Sequence, residues 1–165
     1  MIRILFVCHG NICRSAMAEF IMKDLLARQG LEDVFYIESA GTSSEELGNP
    51  VYPPARRKLA EHGIRCDGHR ARKVRREDYD RFDLLIVMDR YNFRNMMRLT
   101  GDDPDGKIKM LMDYTKHPGE VDDPWYTGDF ETVYHQIVEG CESMLAKLIE
   151  LKSKPPSEMG EEAKP

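Results

Sequence analysis

The sequence predicts an α/β fold, a single-domain three-layer sandwich with helices on both faces of a central, mostly four-stranded, parallel twisted sheet. Short apolar runs rich in β-branched residues, such as 2–7 and 83–88, alternate with segments of helical periodicity. This alternation is typical of strand–helix–strand units, which build parallel sheets. The length of 165 residues suits one domain.

The elements are predicted in order from apolar runs, helical periodicity and glycine or proline signals. Strands are predicted over 2–7, 34–39, 83–88 and 107–111. Helices are predicted from Ser15 to a stop at Gly30, from Pro53 to a stop at Gly63, over 91–99 before Gly101, and over 130–149. Segment 113–129 is predicted to be a long loop. The domain is expected to cover 1–151, with 152–165 as a polar, flexible tail that contains three prolines.

Composition excludes several classes of protein. A hydrophobic content of 41% is enough for one packed core, whereas a mean hydropathy of −0.54 and the lack of a long apolar run exclude a membrane-spanning helix. No membrane partner is therefore expected. Four cysteines without a secretory signal fit a reducing compartment, so a cytoplasmic location is expected.

Charge is unevenly distributed along the chain. The net charge is −5, yet residues 56–98 carry 13 Lys and Arg against 7 Asp and Glu. The basic run within 65–76 contains no aromatic residue, and the pI is near 5.6, so nucleic acid is not an expected partner. A solvated basic face is the favoured interpretation. The other interpretation is a face that attracts anionic substrates.

The first strand leads into a loop that predicts an anion site. Cys8 ends the strand, and Arg14 lies six residues later, just before a predicted helix. Such a loop can point its N–H groups inward, the helix N-terminus adds positive potential, and Arg14 can bind two oxygens. Gly10 and Asn11 tolerate the left-handed backbone that such a nest requires. Cys8 is thus a candidate thiolate nucleophile in a cradle for a tetrahedral dianion, the alternative being an inert cysteine.

The same cysteine-to-arginine spacing occurs a second time. Cys66 and Arg72 are also six residues apart, but no strand pattern precedes Cys66 and no helical pattern begins at Lys73. We therefore interpret the second pair as a chance repeat.

The residues of the first loop resemble a family signature. Cys8-His9-Gly10-Asn11-Ile12-Cys13-Arg14-Ser15 is similar to the signature of the low-molecular-weight protein tyrosine phosphatases. The likeness runs over 1–151 and includes Ser39-Ala40-Gly41-Thr42, His69, 82–89 and 123–126.

The resemblance implies a metal-independent, cofactor-free phosphotyrosine phosphatase. It implies that Cys8 is the nucleophile, that Arg14 and the loop bind phosphate, and that Asp123 is the general acid and base. Tyrosine-phosphorylated proteins or peptides are the implied substrates, small aryl phosphates are also expected to be cleaved, and a tyrosine kinase is a further candidate partner. A monomer is expected.

The proposed acid lies beside two aromatic residues. Asp123 precedes Pro124, and Asp122 is a second carboxylate that favours its protonated form. Asp-Pro alone is an ordinary turn dipeptide, so the role of Asp123 rests on the resemblance. Trp125 and Tyr126 follow and would form a wall for an aromatic ring, the alternative being core packing.

The resemblance also assigns supporting residues. It implies that Asn11, with hydrogen bonds toward Ser39 and His69, holds the cradle, the alternative for His69 being a surface position. Independently of the resemblance, the Ser15 hydroxyl is expected to hydrogen-bond the thiolate and to ease its departure. Cys13 resembles the neighbouring thiol that traps oxidised Cys8 as a disulfide, which would make the enzyme redox-sensitive. Zinc is not expected, because one cysteine pair is poor evidence for a metal site.

Three positions at the expected pocket bear on specificity. Glu45 stands where many relatives carry a tryptophan on the rim, so one aromatic wall is expected to be missing. His9 occupies a variable position at the mouth. The bacterial arginine-phosphate branch resembles this signature but has threonine at the position of Ile12, so the isoleucine favours phosphotyrosine.

Three other functions compete with phosphatase activity. Thioredoxin-coupled arsenate reductases are similar in fold and loop, but they need two further cysteines, and 76–98 contains none. A phosphotransferase carrier of the IIB type would hold phosphate on cysteine, but Arg14 and Asp123 would promote hydrolysis. A catalytically silent phosphate-binding module does not explain why all three of Cys8, Arg14 and Asp123 are present.

Overall fold

A four-stranded parallel sheet lies at the centre of the structure, a computed structural model that describes residues 1–153. The strands are β1 Ile2–Cys8, β2 Phe35–Gly41, β3 Leu84–Val87 and β4 Ile108–Met110. Their spatial order is β2-β1-β3-β4, and all three neighbouring pairs are parallel. The predicted fold class is therefore confirmed.

Helices connect the strands and complete the chain. They are α1 Arg14–Arg28, α2 Pro53–Glu61, α3 Asp78–Arg81, α4 Arg90–Thr100, α5 Pro124–Thr127 and α6 Phe130–Ser153, with a short 3-10 turn at Leu111–Tyr114. Gly30 and Gly101, two of the predicted stops, have φ angles of 68° and 72°, in the left-handed region that glycine adopts without steric cost.

The strand side chains divide the core into two layers, one on each face of the sheet. Ile4 and Phe6 of β1 pack in a cluster with side chains of α1 and α6. Leu5 and Val7 point the other way and pack in a second cluster that includes Met96 of α4. All four β1 side chains are fully buried, which explains why the strand is apolar at every one of these positions.

The predicted long loop at 113–129 is wrong in part. Residues 113–114 belong to the 3-10 turn, and α5 forms one helical turn within the segment. Asp123 accepts a hydrogen bond from Trp125 N, Pro124 stands at the first helical position, and Gly128 ends the turn with a φ of 71°. The residues that begin and end α5 are visible in the sequence. The four-residue helix α3 was not predicted either.

The last helix overlaps the start of the predicted tail. Helix α6 continues through Ser153, so the first two residues of the predicted tail are helical. The rest of that tail, 154–165, lies outside the described residues. None of the helices within residues 1–153 has the length and hydropathy that crossing a bilayer requires.

Candidate active site

The loop between β1 and α1 encloses the sulfur of Cys8. Asn11 N donates a hydrogen bond to Cys8 Sγ over 3.4 Å, and Asn11 adopts the left-handed region at a φ of 61°. Helix α1 begins at Arg14, and Cys13, its N-cap residue, makes no side-chain capping hydrogen bond. The first N–H groups of α1 therefore keep the positive potential that attracts an anion.

A chain of hydrogen bonds runs from Cys8 into the protein. Ser15 Oγ lies 3.0 Å from Cys8 Sγ and accepts a hydrogen bond of 2.9 Å from Asn11 Nδ2. Asn11 Nδ2 also donates to Ser39 Oγ over 2.9 Å, and Ser39 Oγ donates to Glu19 Oε1 over 2.5 Å. Because the Ser15 hydroxyl already accepts from the amide, its own proton is free to be donated to the sulfur.

The remaining groups of Asn11 are also bonded. Its Oδ1 accepts from Arg72 N over 3.0 Å, and its carbonyl oxygen lies 2.7 Å from His69 Nε2. A carbonyl oxygen only accepts, so His69 donates from Nε2. The side chain of Asn11 is fully buried, and its amide forms three hydrogen bonds, which hold the left-handed residue of the loop in one conformation.

Arg14 is held by groups from the segment that follows β3 and from the segment before α5. The side chain is 3% exposed, and Nη1 donates to Asp89 Oδ2 over 2.8 Å and to the carbonyl oxygen of Val121 over 3.0 Å. Burial lowers the pKa of Arg14, but the negative charge of Cys8, the hydrogen bond to Asp89 and the Asp123 carboxylate raise it above its ordinary value. Arg14 is therefore a permanent cation beside Cys8.

Asp123 faces the same cleft from the start of α5. Its Oδ1 accepts from Trp125 N over 3.0 Å, and its Oδ2 lies 3.5 Å from Arg14 Nη2. The neighbouring Asp122 is exposed and does not line the cleft. Of the two adjacent carboxylates, Asp123 alone is thus positioned to reach a group bound at Cys8.

The cleft above Cys8 has a volume of about 150 Å³. Its walls include Ile12, Glu45, Trp125 and Tyr126, and the two aromatic side chains are 56% and 85% exposed. Such exposure excludes core packing as their role. Trp125 is steadied by Tyr52, whose ring centroid lies 5.0 Å away.

His9 and Gly10 complete the mouth of this cleft. His9 Nε2 lies 3.4 Å from Glu45 Oε2, and both side chains are substantially exposed. This part of the rim is therefore polar and carries the charge of Glu45 together with the neighbouring Glu46.

Comparisons with known proteins agree with this geometry. The family model described as low molecular weight phosphotyrosine protein phosphatase matches residues 3–154. The chain belongs to this family. The low molecular weight protein-tyrosine-phosphatase YfkJ of Bacillus subtilis is 43% identical over 150 residues, which cover 90% of this chain and 96% of YfkJ.

Other relatives and solved structures extend the comparison. The crystal structure of YfkJ superposes with a TM-score of 0.89, at 42% identity, and the match covers 93% of this chain and 98% of YfkJ. The low molecular weight phosphotyrosine protein phosphatase of Gallus gallus is 38% identical and covers 87% of this chain and 94% of its own. A Drosophila arginine phosphatase matches with a TM-score of 0.79, at 33% identity, over 92% of this chain and 99% of its own.

Cys13 is the second cysteine of the catalytic loop, and it is not a second nucleophile. Burial, together with the charges of Cys8 and Asp123, raises the pKa of Cys13 to about 12, so Cys13 is a neutral thiol that does not compete as a nucleophile. A Cys8–Cys13 disulfide stays a prediction, since both cysteines are free in this structure.

Within residues 1–153, no group of three or more His, Cys, Asp and Glu side chains is placed to hold a metal ion.

The second cysteine-to-arginine pair has no cradle. Cys66 is buried in the apolar core, and the Arg72 guanidinium is engaged by Asp78 over 3.0 Å and by Glu38 over 3.3 Å. Its interpretation as a chance repeat agrees with these contacts.

Residues outside the predicted set also build the site of the phosphatase. Asp89 and the Val121 carbonyl hold Arg14, whereas Glu19 and the backbone of Arg72 anchor the hydrogen bonds of the loop. The sequence did contain a signal for Asp89, because this residue directly follows a predicted strand. The carboxyl ends of parallel strands meet at one edge of the sheet, and ligands bind there. No comparable signal pointed to the other three.

Gly41, at the end of β2, is required by the close approach of the loop. A Cβ atom there would lie 2.6 Å from the carbonyl oxygen of His9 and 3.2 Å from Asn11 N. We expect Gly41→Ala to displace the loop and to lower kcat/KM for p-nitrophenyl phosphate about 100-fold, as a shift near 1 Å in a reacting geometry does. Steady-state kinetics on the purified variant measure the effect.

Gly63→Ala is the matched control for Gly41→Ala. Gly63 has a φ of 74° and open space around it, so the substitution strains the backbone without touching the loop. We expect a lower free energy of unfolding, by about 1 kcal/mol, with kcat/KM unchanged. Full activity in Gly41→Ala would show that the close approach at His9 does not shape the site.

Proposed function

We propose that this phosphatase hydrolyses phosphotyrosine monoesters through a covalent phosphocysteine on Cys8. The observation that carries the proposal is the convergence of three groups on one cleft. The Cys8 sulfur accepts a hydrogen bond from Asn11 N in the loop before α1, buried Arg14 is fixed by Asp89, and Asp123 lies 3.5 Å from the guanidinium. These groups supply a nucleophile, a phosphate clamp and a proton donor, the three parts that phosphoryl transfer without a metal requires.

In the first step, the Cys8 thiolate attacks phosphorus in line with the bond to the phenolic oxygen. The S–P bond forms as the P–O bond breaks, and the electron pair of that bond leaves on the phenolic oxygen. Arg14 and the loop N–H groups hold the three non-bridging oxygens, whose charge they stabilise by preorganised hydrogen bonds. Asp123, protonated, transfers its proton to the departing oxygen.

In the second step, water replaces the sulfur. The Asp123 carboxylate takes a proton from a water molecule, whose oxygen forms a bond to phosphorus while the S–P bond breaks. The products are inorganic phosphate and the Cys8 thiolate. Ser15, 3.0 Å from the sulfur, keeps its proton and donates a hydrogen bond to the leaving thiolate, which it stabilises.

The walls of the cleft support an aromatic substrate. Trp125 and Tyr126 are exposed on the helical turn α5 at the mouth, and the buried side chain of Ile12 adds an apolar surface. A planar phenyl ring packs against such walls, whereas phosphoserine has no ring, and its single methylene group is too short to reach them. The charged guanidinium of phosphoarginine would lose hydration against Ile12.

The substrate class is tested with three peptides of one sequence that carry phosphotyrosine, phosphoserine or phosphoarginine. We expect kcat/KM for the phosphotyrosine peptide to exceed the other two about tenfold or more. Phosphate release measured under identical conditions gives the ratio. Faster release from phosphoarginine would contradict the assignment, as would arsenate-dependent thiol oxidation without any phosphate release.

Several properties of the phosphatase stay predictions. They are a monomeric state, a cytoplasmic location, a tyrosine kinase as partner, a domain that ends near residue 151, and a flexible tail.

A further inference from the structure

A second groove adjoins the active-site cleft and shares His9 with it. It runs between the segment that carries Lys73 and the face of α4 that carries Tyr91, Asn95 and Arg98. Within residues 1–153 no acidic side chain lines this groove. The active-site cleft, in contrast, is lined by three carboxylates, those of Glu45, Glu46 and Asp123.

The cations of the groove are not neutralised. Lys73 and Arg98 are exposed, and neither forms an ion pair with any of the described residues. The Arg98 guanidinium donates only to the neutral amide of Asn95. Two positive charges without acidic partners on a protein of net charge −5 form a local site for an anion.

The backbone fixes where these cations stand relative to the catalytic loop. Val74 N donates to the carbonyl oxygen of Gly41 over 2.7 Å, and Gly41 N donates to that of Arg72 over 2.8 Å, so Lys73 is tied to the strand that supports the loop. Helix α4 begins directly after Asp89, the residue that holds Arg14. Both sides of the groove are therefore built on elements that also position the catalytic groups.

One further group suits a peptide in this groove. Tyr91 is 58% exposed and offers an aromatic surface beside the cations. The apolar stems of a peptide's side chains would pack against this ring.

We propose that this groove, formed by His9, Thr42, Lys73, Tyr91, Asn95 and Arg98, binds an acidic side chain of the substrate peptide near its phosphotyrosine. This inference rests on the proposed function and assigns it a specificity site. Glu45 and Glu46 line the cleft but not the groove, and they repel an acidic residue there. The charge difference between the cleft and the groove therefore also sets the direction in which the peptide lies.

The helix geometry limits the position of that acidic residue. Arg98 lies nine residues after Asp89, which is about 13 Å along a helix that rises 1.5 Å per residue. An extended peptide covers about 3.4 Å per residue, so it reaches Arg98 within about four residues. Lys73, beside Gly41, is closer to the loop. We therefore expect the acidic residue two to four positions from the phosphotyrosine, on one side only.

The test is a set of phosphotyrosine peptides in which a single glutamate is moved from four positions before to four positions after the phosphotyrosine. Each peptide is compared with its glutamine counterpart. We expect glutamate two to four positions away on one side to raise kcat/KM about twofold to tenfold, and to lose this advantage at high salt. The double variant Lys73→Ala/Arg98→Ala is expected to abolish the preference.

The controls separate this proposal from the proposed function. Turnover of p-nitrophenyl phosphate and of the glutamine peptides is expected to be unchanged in the double variant. Lys147→Ala removes an exposed charge from α6, in a pocket that shares no residue with either site, and is expected to keep the glutamate preference. A preference that is absent in the wild type, or that survives in the double variant, overturns the groove. Failure of the wild type to release phosphate from any peptide overturns the proposed function itself, and the groove with it.

Discussion

Cys8→Ser is expected to abolish turnover of p-nitrophenyl phosphate, with a fall in kcat on the order of 10⁵-fold or more. A serine hydroxyl carries its proton at neutral pH, and the neighbouring Ser15 and Asn11 offer it hydrogen bonds but no general base. The loop, Arg14 and the α1 N-terminus remain, so phosphate should still bind. Steady-state kinetics and competition by inorganic phosphate measure the two effects.

Cys66→Ser is the matched control for Cys8→Ser. It makes the same atomic change at the other cysteine that has an arginine six residues later, but Cys66 lies in the core, away from the cleft. Its kcat is expected to match that of the wild type.

Rapid quenching of the wild type with labelled phosphotyrosine peptide should trap phosphate on Cys8. Turnover in Cys8→Ser, or no label on that sulfur, would contradict the covalent mechanism.

Asp123→Ala is expected to lower kcat about 10²- to 10⁴-fold while the inhibition constant of phosphate changes little. The carboxyl group acts on the leaving oxygen and on water, whereas the loop and Arg14 hold the phosphate itself. The loss should be larger for phenyl phosphate than for p-nitrophenyl phosphate, because the less acidic phenol depends more on the donated proton. Comparing kcat for the two esters measures this dependence.

Two further variants decide why Asp123 matters. Asp123→Asn keeps an oxygen that can accept from Trp125 N and so preserves the start of α5, yet it removes the acid. It is expected to lose as much kcat as the alanine variant. Asp122→Ala changes the exposed neighbour and should retain full activity. Equal losses at 122 and 123, or full activity in Asp123→Asn, would show that the carboxylate has a structural role only.

The local pattern of apolar and polar residues was sufficient to predict much of the fold of this protein. The buried strand, the loop and the amphipathic helix that follows are each encoded within a few residues, so 2–28 could be predicted as a unit with Cys8 and Arg14 at its joint. The alternation of strands and helices predicted the parallel sheet for the same reason. The short helices α3 and α5 were missed, because a single helical turn is too short for an apolar periodicity to develop.

The supports of the site depend on contacts between distant parts of the chain. Arg14 is held by Asp89, 75 residues away, and by the carbonyl oxygen of Val121, 107 residues away. Asn11 is held by the backbone of Arg72, 61 residues away. Only the order of strands in the sheet decides which loops meet at its carboxyl edge.

Local patterns in the chain were thus enough to specify the strand–loop–helix that encloses the nucleophile, since hydrophobic periodicity and loop conformation are local properties. Contacts between distant elements fixed which of two adjacent carboxylates faces the cleft, which residues hold Arg14, and that the groove beside the cleft is lined by no carboxylate of residues 1–153. These features arise where separate elements pack together, and packing distances are not written in the spacing of residues along the chain.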